Sequence, residues 1–235
     1  KRGWVEHITM ETKITDGRIN LRGNMVARSK PKYADYILYL NDGKPIAVVE
    51  AKDNNHTVSH GLQQAMTYAE MMDLPFAYSS NGDGFYEHDF LTGLEREIPL
   101  DSFPTQQELV ERYYKELHGG AGITETEKMI VRQPYYSSQS TYPPRYYQRN
   151  AINRTVEAVA AGKDRLLLVM ATGTGKTYTA FQIVYRLLKS GLKNRILYLA
   201  DRNVLVDQSI DQDFAPLKKT TYKVDFSDRE CLKKI

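Results

Sequence analysis

Two short constellations of residues in this sequence are of types and spacings that carry chemistry. The first is MATGTGKT, Met170 to Thr177, which follows the apolar run RLLLVM and precedes the helical pattern YTAFQIVYRLLKSG. Strand, glycine-rich loop and helix in that order form a phosphate-binding loop. Gly173, Thr174 and Gly175 let the backbone curl until its amides point at phosphate oxygens. Lys176 adds a mobile positive charge over the β and γ phosphates, Thr177 offers a hydroxyl to magnesium, and the helix N-terminus adds partial positive charge. The strict pattern GxxxxGK[ST] has glycine where Met170 stands, so this loop is a variant of it. The ligand it predicts is a nucleoside triphosphate with its Mg²⁺.

The second constellation is an acid and a base two residues apart in VVEAKDN: Glu50 and Lys52. Along a strand such residues share a face, about 6–7 Å from each other, while Ala51 turns away. Asp35 lies on the preceding strand, across a hairpin, where it comes alongside. Two carboxylates and an ammonium on one spot are the minimum set for metal-assisted phosphodiester cleavage. Asp35 and Glu50, with the Ala51 carbonyl, supply hard oxygen ligands for Mg²⁺. The metal acidifies bound water and stabilises charge on the scissile phosphate. Lys52 positions the attacking water and offsets developing negative charge; with an ordinary lysine pKa of about 10.4 it is protonated at neutral pH. D-x14-E-x-K is a weak pattern alone, because acids and lysines are common. Two features add to it. Both acids close apolar strands, where a buried charge requires a partner. Gln64 and Tyr68 in QAMTY lie four apart on one helix face shortly after Lys52; alone, that pair is no more than a helix with one tyrosine half in the core.

The elements that must hold these residues follow from hydrophobic periodicity. YADYILYL and PIAVVEAK read as paired strands around the turn residues Asn41, Asp42 and Gly43. HGLQQAMTYAEMM carries Leu62, Ala65, Met66, Ala69 and Met72 at helical spacing. PFAYSS, the turn NGDG and FYEHDF form a second hairpin, Thr92–Gly93 another turn, and PTQQELVERYYKEL a helix opened by Pro104. From His118 to Pro144 the composition shifts to HGGAG, SSQS and PP with three tyrosines, which predicts a flexible joint whose tyrosines dock on a neighbour. RYYQRNAINRTVEAVAAG is then a helix, RLLLVM a buried strand, YTAFQIVYRLLKSG a helix and NRILYLA a strand, an alternation that implies a parallel sheet. The predicted organisation is α/β throughout: a mixed sheet flanked by helices over 1–117, a linker over 118–144, and a partial parallel α/β unit over 145–235.

Composition narrows the classes. Among 235 residues, 41% are apolar and 26% charged, ordinary for a folded domain, and a net charge of +3 does not by itself indicate nucleic acid. The charge is uneven: Arg18, Arg22, Arg28, Lys30 and Lys32 precede Asp35 with only Asp16 against them, an arm suited to phosphates or simply to solvent. The one cysteine, Cys231, excludes an internal disulfide or a cysteine-rich zinc site and suits a reducing cytoplasm. No apolar run approaches the roughly 20 residues that span a bilayer. The chain opens at Lys1 without an initiating Met, which points to a piece of a longer protein.

The motifs resemble known families. ATGTGKT is similar to motif I of superfamily 2 helicases and translocases; RYYQ, Arg145 to Gln148, resembles their Q motif, in which the glutamine reads adenine; LYLADRNVLVDQ resembles motif Ia, which touches the DNA backbone. No Asp-Glu pair follows within 195–235, so the resemblance implies a loop that binds ATP but turns it over poorly here. Residues 13–117 resemble the PD-(D/E)xK nuclease domain, RecB-like branch with a Q-x-x-x-Y motif. Together, TDGRI, ADYILYL, VVEAKDNNH, QQAMTYAE and SSNGDGF resemble the motor and restriction subunit of type I restriction enzymes. That resemblance implies ATP-driven translocation of duplex DNA, cleavage away from the recognition site, and assembly with methyltransferase and specificity subunits. The family's nuclease has a further acid on an upstream helix; only Glu6 and Glu11 stand nearby here. Two alternatives remain open: a nuclease–helicase fusion of DNA repair or phage defence, and a nuclease fold that only holds DNA beside a motor.

Overall fold

The computed structural model describes residues 3–15, 19–22, 25–28, 30–41, 43–139, 141–225 and 227; Asp16, Arg18, Asp42 and Cys231 lie outside the described residues. A six-stranded mixed sheet forms the first half. Its strands are β1 (Ile8–Thr15), β4 (Lys32–Asn41), β5 (Lys44–Ala51), β6 (Phe76–Ser80), β7 (Gly84–Asp89) and β8 (Glu95–Pro99), in the order β1-β4-β5-β6-β7-β8. A separate two-stranded ribbon pairs β2 (Ile19–Arg22) with β3 (Met25–Arg28).

β5 runs antiparallel to β4 and parallel to β6, and its residues from Lys44 to Glu50 are all buried. A strand covered on both faces needs the near-continuous apolar run PIAVV rather than an alternating one. The parallel β5–β6 step is made by helix α1 (Leu62–Met72), which lies on one face of the sheet with Val48, Ala65, Tyr68 and Ala77 in a shared core. Helix α2 (Gln106–Leu117) covers the opposite face, where Phe76, Tyr78, Leu109 and Tyr114 pack together.

Four further α-helices follow among the described residues: α3 (Glu125–Arg132), α4 (Tyr146–Ala160), α5 (Lys176–Lys189) and α6 (Asn203–Asp211). The predicted flexible joint therefore contains a helix. Thr124 and Glu127 cap α3 reciprocally, and Ile130 packs with Val156 of α4 and Leu187 of α5. Two tyrosines of this segment dock, while Tyr142 stays exposed: the Tyr135 hydroxyl donates to Asn153 Oδ1 (2.8 Å), and the Tyr136 amide to Gln182 Oε1 (2.9 Å).

The expectation that RLLLVM and NRILYLA form strands, the first of them buried, is corrected. Neither is a strand, and Leu167 and Val169 are 86% and 88% exposed. A strand persists only with laddered neighbours and a covered face. Among the described residues neither run has a strand partner.

Candidate active site

Alternation along β5 decides where Glu50 points. Val48 lies in the core beneath α1, so Glu50, two residues on, faces the same helix. Asp35 stands one step beyond the Tyr36–Val49 pair of the β4–β5 ladder, opposite Glu50. The Asp35 amide donates to Glu50 Oε1 (3.3 Å), and the Ala51 amide donates to Asp35 Oδ2 (2.7 Å). Lys52 Nζ lies 3.8 Å from Glu50 Oε2 and donates to Gln64 Oε1 (3.2 Å). Gln64 Nε2 in turn donates to the Tyr68 hydroxyl (3.2 Å), and Lys32 Nζ sits 5.7 Å from the centre of the Tyr68 ring. A single chain of contacts thus joins Asp35, Glu50, Lys52, Gln64 and Tyr68.

Glu50 is fully buried and its Oε2 has no hydrogen-bond partner. Burial, followed by the neighbouring Asp35 carboxylate, pushes its carboxyl up to about 7; the amide of Asp35 and the ammonium of Lys52 offset this only in part. An orphaned buried carboxylate oxygen beside a second acid is a site that favours a cation, and two carboxylates suit a hard divalent ion. Among the described residues no group of three or more His, Cys, Asp or Glu side chains gathers as a metal centre. Glu6 and Glu11 are both exposed and do not join the pair; Glu11 sits at a break in the β1–β4 ladder with φ of 46°.

Three residues at this site were not singled out from the sequence. Ser79 pairs with Glu50 in the parallel β5–β6 register, and its Oγ accepts from the Gly61 amide (3.0 Å). The Ser80 carbonyl accepts from the Lys52 amide (2.8 Å). SSNGDGF is legible as strand and turn, but nothing in it reports which strand it will neighbour.

The predicted phosphate loop occupies 171–175. Gly173 and Gly175 have φ of +79° and +81°, a region that penalises any side chain. Thr174 Oγ1 and Lys176 Nζ both donate to the Ala171 carbonyl, at 2.6 and 3.3 Å. No side chain caps α5, so its first-turn amides are left without a capping side chain, and Lys176 and Thr177 begin the helix. Gln148 is buried: its Oε1 accepts from the Arg145 amide (2.9 Å) and its Nε2 donates to the Thr174 carbonyl (2.9 Å). One donor hydrogen and one lone pair of the amide remain. Beside the loop, Lys176, Thr177, Tyr198, Gln208 and Asp213 help line a cavity of about 400 Å³, in which burial raises the Asp213 carboxyl.

Known proteins match both halves. Residues 1–104 match the family described as type I restriction enzyme R protein N terminus (HSDR_N), and residues 141–234 match type III restriction enzyme, res subunit. The chain is 47% identical over 228 residues to the type I restriction enzyme EcoAI endonuclease subunit of Escherichia coli, covering 94% of this chain and 28% of that protein. Identity to the EcoKI endonuclease subunit of Escherichia coli K12 is 28% over 226 residues, or 76% of this chain and 18% of that one. A solved fragment described as an HsdR subunit of a type I restriction enzyme from Vibrio vulnificus YJ016 superposes with a TM-score of 0.67 at 44% identity, covering 80% of this chain and 35% of that structure. The chain therefore spans about a third or less of the length of each of these relatives. With the mixed sheet of its first half and the helicase-like match of its second, the chain belongs to the R subunits of type I restriction enzymes.

Proposed function

We propose that the chain carries the nuclease of a type I restriction enzyme and the nucleotide-gripping part of its motor. In this reading 1–117 is the nuclease block, 118–144 the link and 145–235 the start of the motor lobe. The reaction is Mg²⁺-dependent hydrolysis of phosphodiester bonds in duplex DNA, coupled in the complete enzyme to ATP-dependent translocation. The observation that carries this is the buried Glu50 carboxylate, with one oxygen unpartnered, facing Asp35 and Lys52. Asp35, Glu50 and the Ala51 carbonyl hold the metal, which supplies an activated water and charge neutralisation. Lys52 holds an ammonium at the edge of the pair, where it orients water and offsets charge on the phosphate. Gln64 fixes the direction of that ammonium, and Tyr68 fixes Gln64.

At the second site Gly173, Thr174, Gly175, Lys176 and Thr177 bind the phosphates of ATP, and Gln148 reads the adenine with the amide groups it has left. The partners are duplex DNA and, because similar chains are themselves subunits of type I restriction enzymes, a methyltransferase and a specificity subunit.

The test is plasmid cleavage by the complete assembly carrying Lys52→Ala. Cutting falls by about 100-fold or more while ATP hydrolysis persists. Undiminished cutting removes Lys52 from the mechanism.

A further inference from the structure

Gly61 is the residue before α1, with φ −84° and ψ −4°, a right-handed conformation open to any amino acid. Its backbone does not require glycine; its surroundings do. A Cβ there would lie 2.9 Å from Ser79 Oγ, 3.2 Å from Glu50 Cβ and 3.2 Å from Lys52 Cε. The first of these is closer than side chains tolerate, and the other two are tighter than ordinary van der Waals contact. The chain at 61 is therefore laid directly over the acid and the base of the site.

Ser79 is fully buried and register-paired with Glu50, and its Oγ takes the Gly61 amide at 3.0 Å. This bond fastens the start of α1 to the sheet at the point where the site lies. One turn later the same helix presents Gln64 to the Lys52 ammonium. The Lys52 side chain is thus confined on two sides: by Gly61 at Cε and by Gln64 at Nζ.

We infer that Gly61 and Ser79 are positioning residues of the nuclease site, setting the separation of the Lys52 ammonium from the Glu50 carboxylate by seating the start of α1 on β5 and β6. The inference rests on the nuclease reading above and goes beyond it, since neither residue touches metal or DNA in that reading. A side chain at 61 displaces Lys52 or lifts α1, and either changes the metal's surroundings without removing a ligand.

The experiment compares Gly61→Ala, Ser79→Ala, the double variant and Lys52→Ala in the complete assembly, recording cleavage rate against Mg²⁺ concentration alongside ATP hydrolysis. Gly61→Ala lowers the maximal cleavage rate by about tenfold and raises the Mg²⁺ concentration for half-maximal rate, as a displacement of a few tenths of an ångström in a packed site does. ATP hydrolysis is unchanged. Ser79→Ala, which removes a bond without adding bulk, shifts the Mg²⁺ dependence the same way by a smaller factor, about two- to fivefold. The double variant recovers part of the Gly61→Ala loss, because the closest clash is with the hydroxyl that is gone. A purely structural role predicts losses that add and an unmoved Mg²⁺ midpoint. Wild-type Mg²⁺ dependence in both single variants, with Lys52→Ala inactive, overturns the positioning role and leaves the nuclease reading standing. Undiminished cleavage by Lys52→Ala instead removes Lys52 from the mechanism, and with it the ammonium that Gly61 and Ser79 are inferred to position. If Gly61→Ala loses ATP hydrolysis as well, Ser79→Ala decides alone, and an unshifted Mg²⁺ midpoint there overturns the inference.

Discussion

Glu50 is fully buried and keeps one carboxylate oxygen without a hydrogen-bond partner. A glutamate ordinarily near 4.5 is held at about 7, chiefly by burial and then by Asp35. A carboxyl raised in the folded state favours the protonated form, so the metal-free protein loses stability as pH rises from the unfolded value to the folded one and levels off above it. The difference of about 2.5 in pKa corresponds to roughly 3 kcal/mol. Urea unfolding of metal-free protein should show this fall between about pH 4.5 and 7, and Glu50→Gln should flatten it and be the more stable protein at pH 8. An identical pH profile in Glu50→Gln would place the destabilisation elsewhere. On the proposed reading metal binding runs the other way: Mg²⁺ would have to displace the proton, so its affinity, measured by calorimetry, should climb up to about pH 7 and then flatten.

Elements differ in how much of their partner they carry in sequence. β4 and β5 are legible because both strands and their turn are contiguous, and α1 because Leu62, Ala65, Ala69 and Met72 repeat at helical spacing. The juxtaposition of Asp35 with Glu50 was within reach for the same reason, a hairpin being a local structure. Ser79 and Gly61 were not, because the parallel β5–β6 pairing is set by a crossover and no spacing reports it. β1 alternates as ITMETKIT, and its pairing to β4 bridges the ribbon between them. RLLLVM and NRILYLA show the reverse case: strand-like composition without a strand partner among the described residues. The phosphate loop is the element whose backbone is most tightly specified. Gly175→Ala places a methyl group in the left-handed region and against Gln148 Nε2, a penalty of about 1–2 kcal/mol from backbone strain before the contact is added. ATP binding to this chain, followed by calorimetry, should weaken by about tenfold or more, and Lys176→Ala should weaken it without altering thermal stability. Wild-type affinity in both would mean that the loop does not grip phosphate. The α2 cap is a simpler case: Thr105→Ala breaks a reciprocal Thr105–Glu108 box and should lower stability by about 1 kcal/mol.

At the scale of the whole molecule, one helix ties the halves together. α4 begins at the phosphate loop, where Gln148 meets Thr174, and its later turns press on the mixed sheet. Asn153 donates to the Gly43 carbonyl at the β4–β5 turn (3.3 Å), and Arg154 forks onto Asp73 at the end of α1, with one arm at 2.6 Å. The buried centre of this contact is the Lys44–Glu157 ion pair, with the Tyr113 and Tyr114 hydroxyls also donating to Glu157. Burial alone would lower the Lys44 ammonium; the Glu157 carboxylate more than reverses that and leaves it raised. Because the raised group is a base already charged at neutral pH, its stabilisation is fully present below its ordinary pKa of 10.5 and is lost only as pH climbs past it. The Lys44 charge is therefore constant over the range where Glu50 titrates. Removing one partner strands the other in a dry setting, so Glu157→Ala should destabilise the chain by about 3–5 kcal/mol in urea at pH 7. Lys44→Met with Glu157→Leu removes both charges and should recover most of that loss, since a buried pair offsets little more than its own desolvation. If the two single losses simply sum in the double variant, Lys44 and Glu157 do not depend on each other, and the seam between the halves is held by its apolar and Arg154 contacts instead.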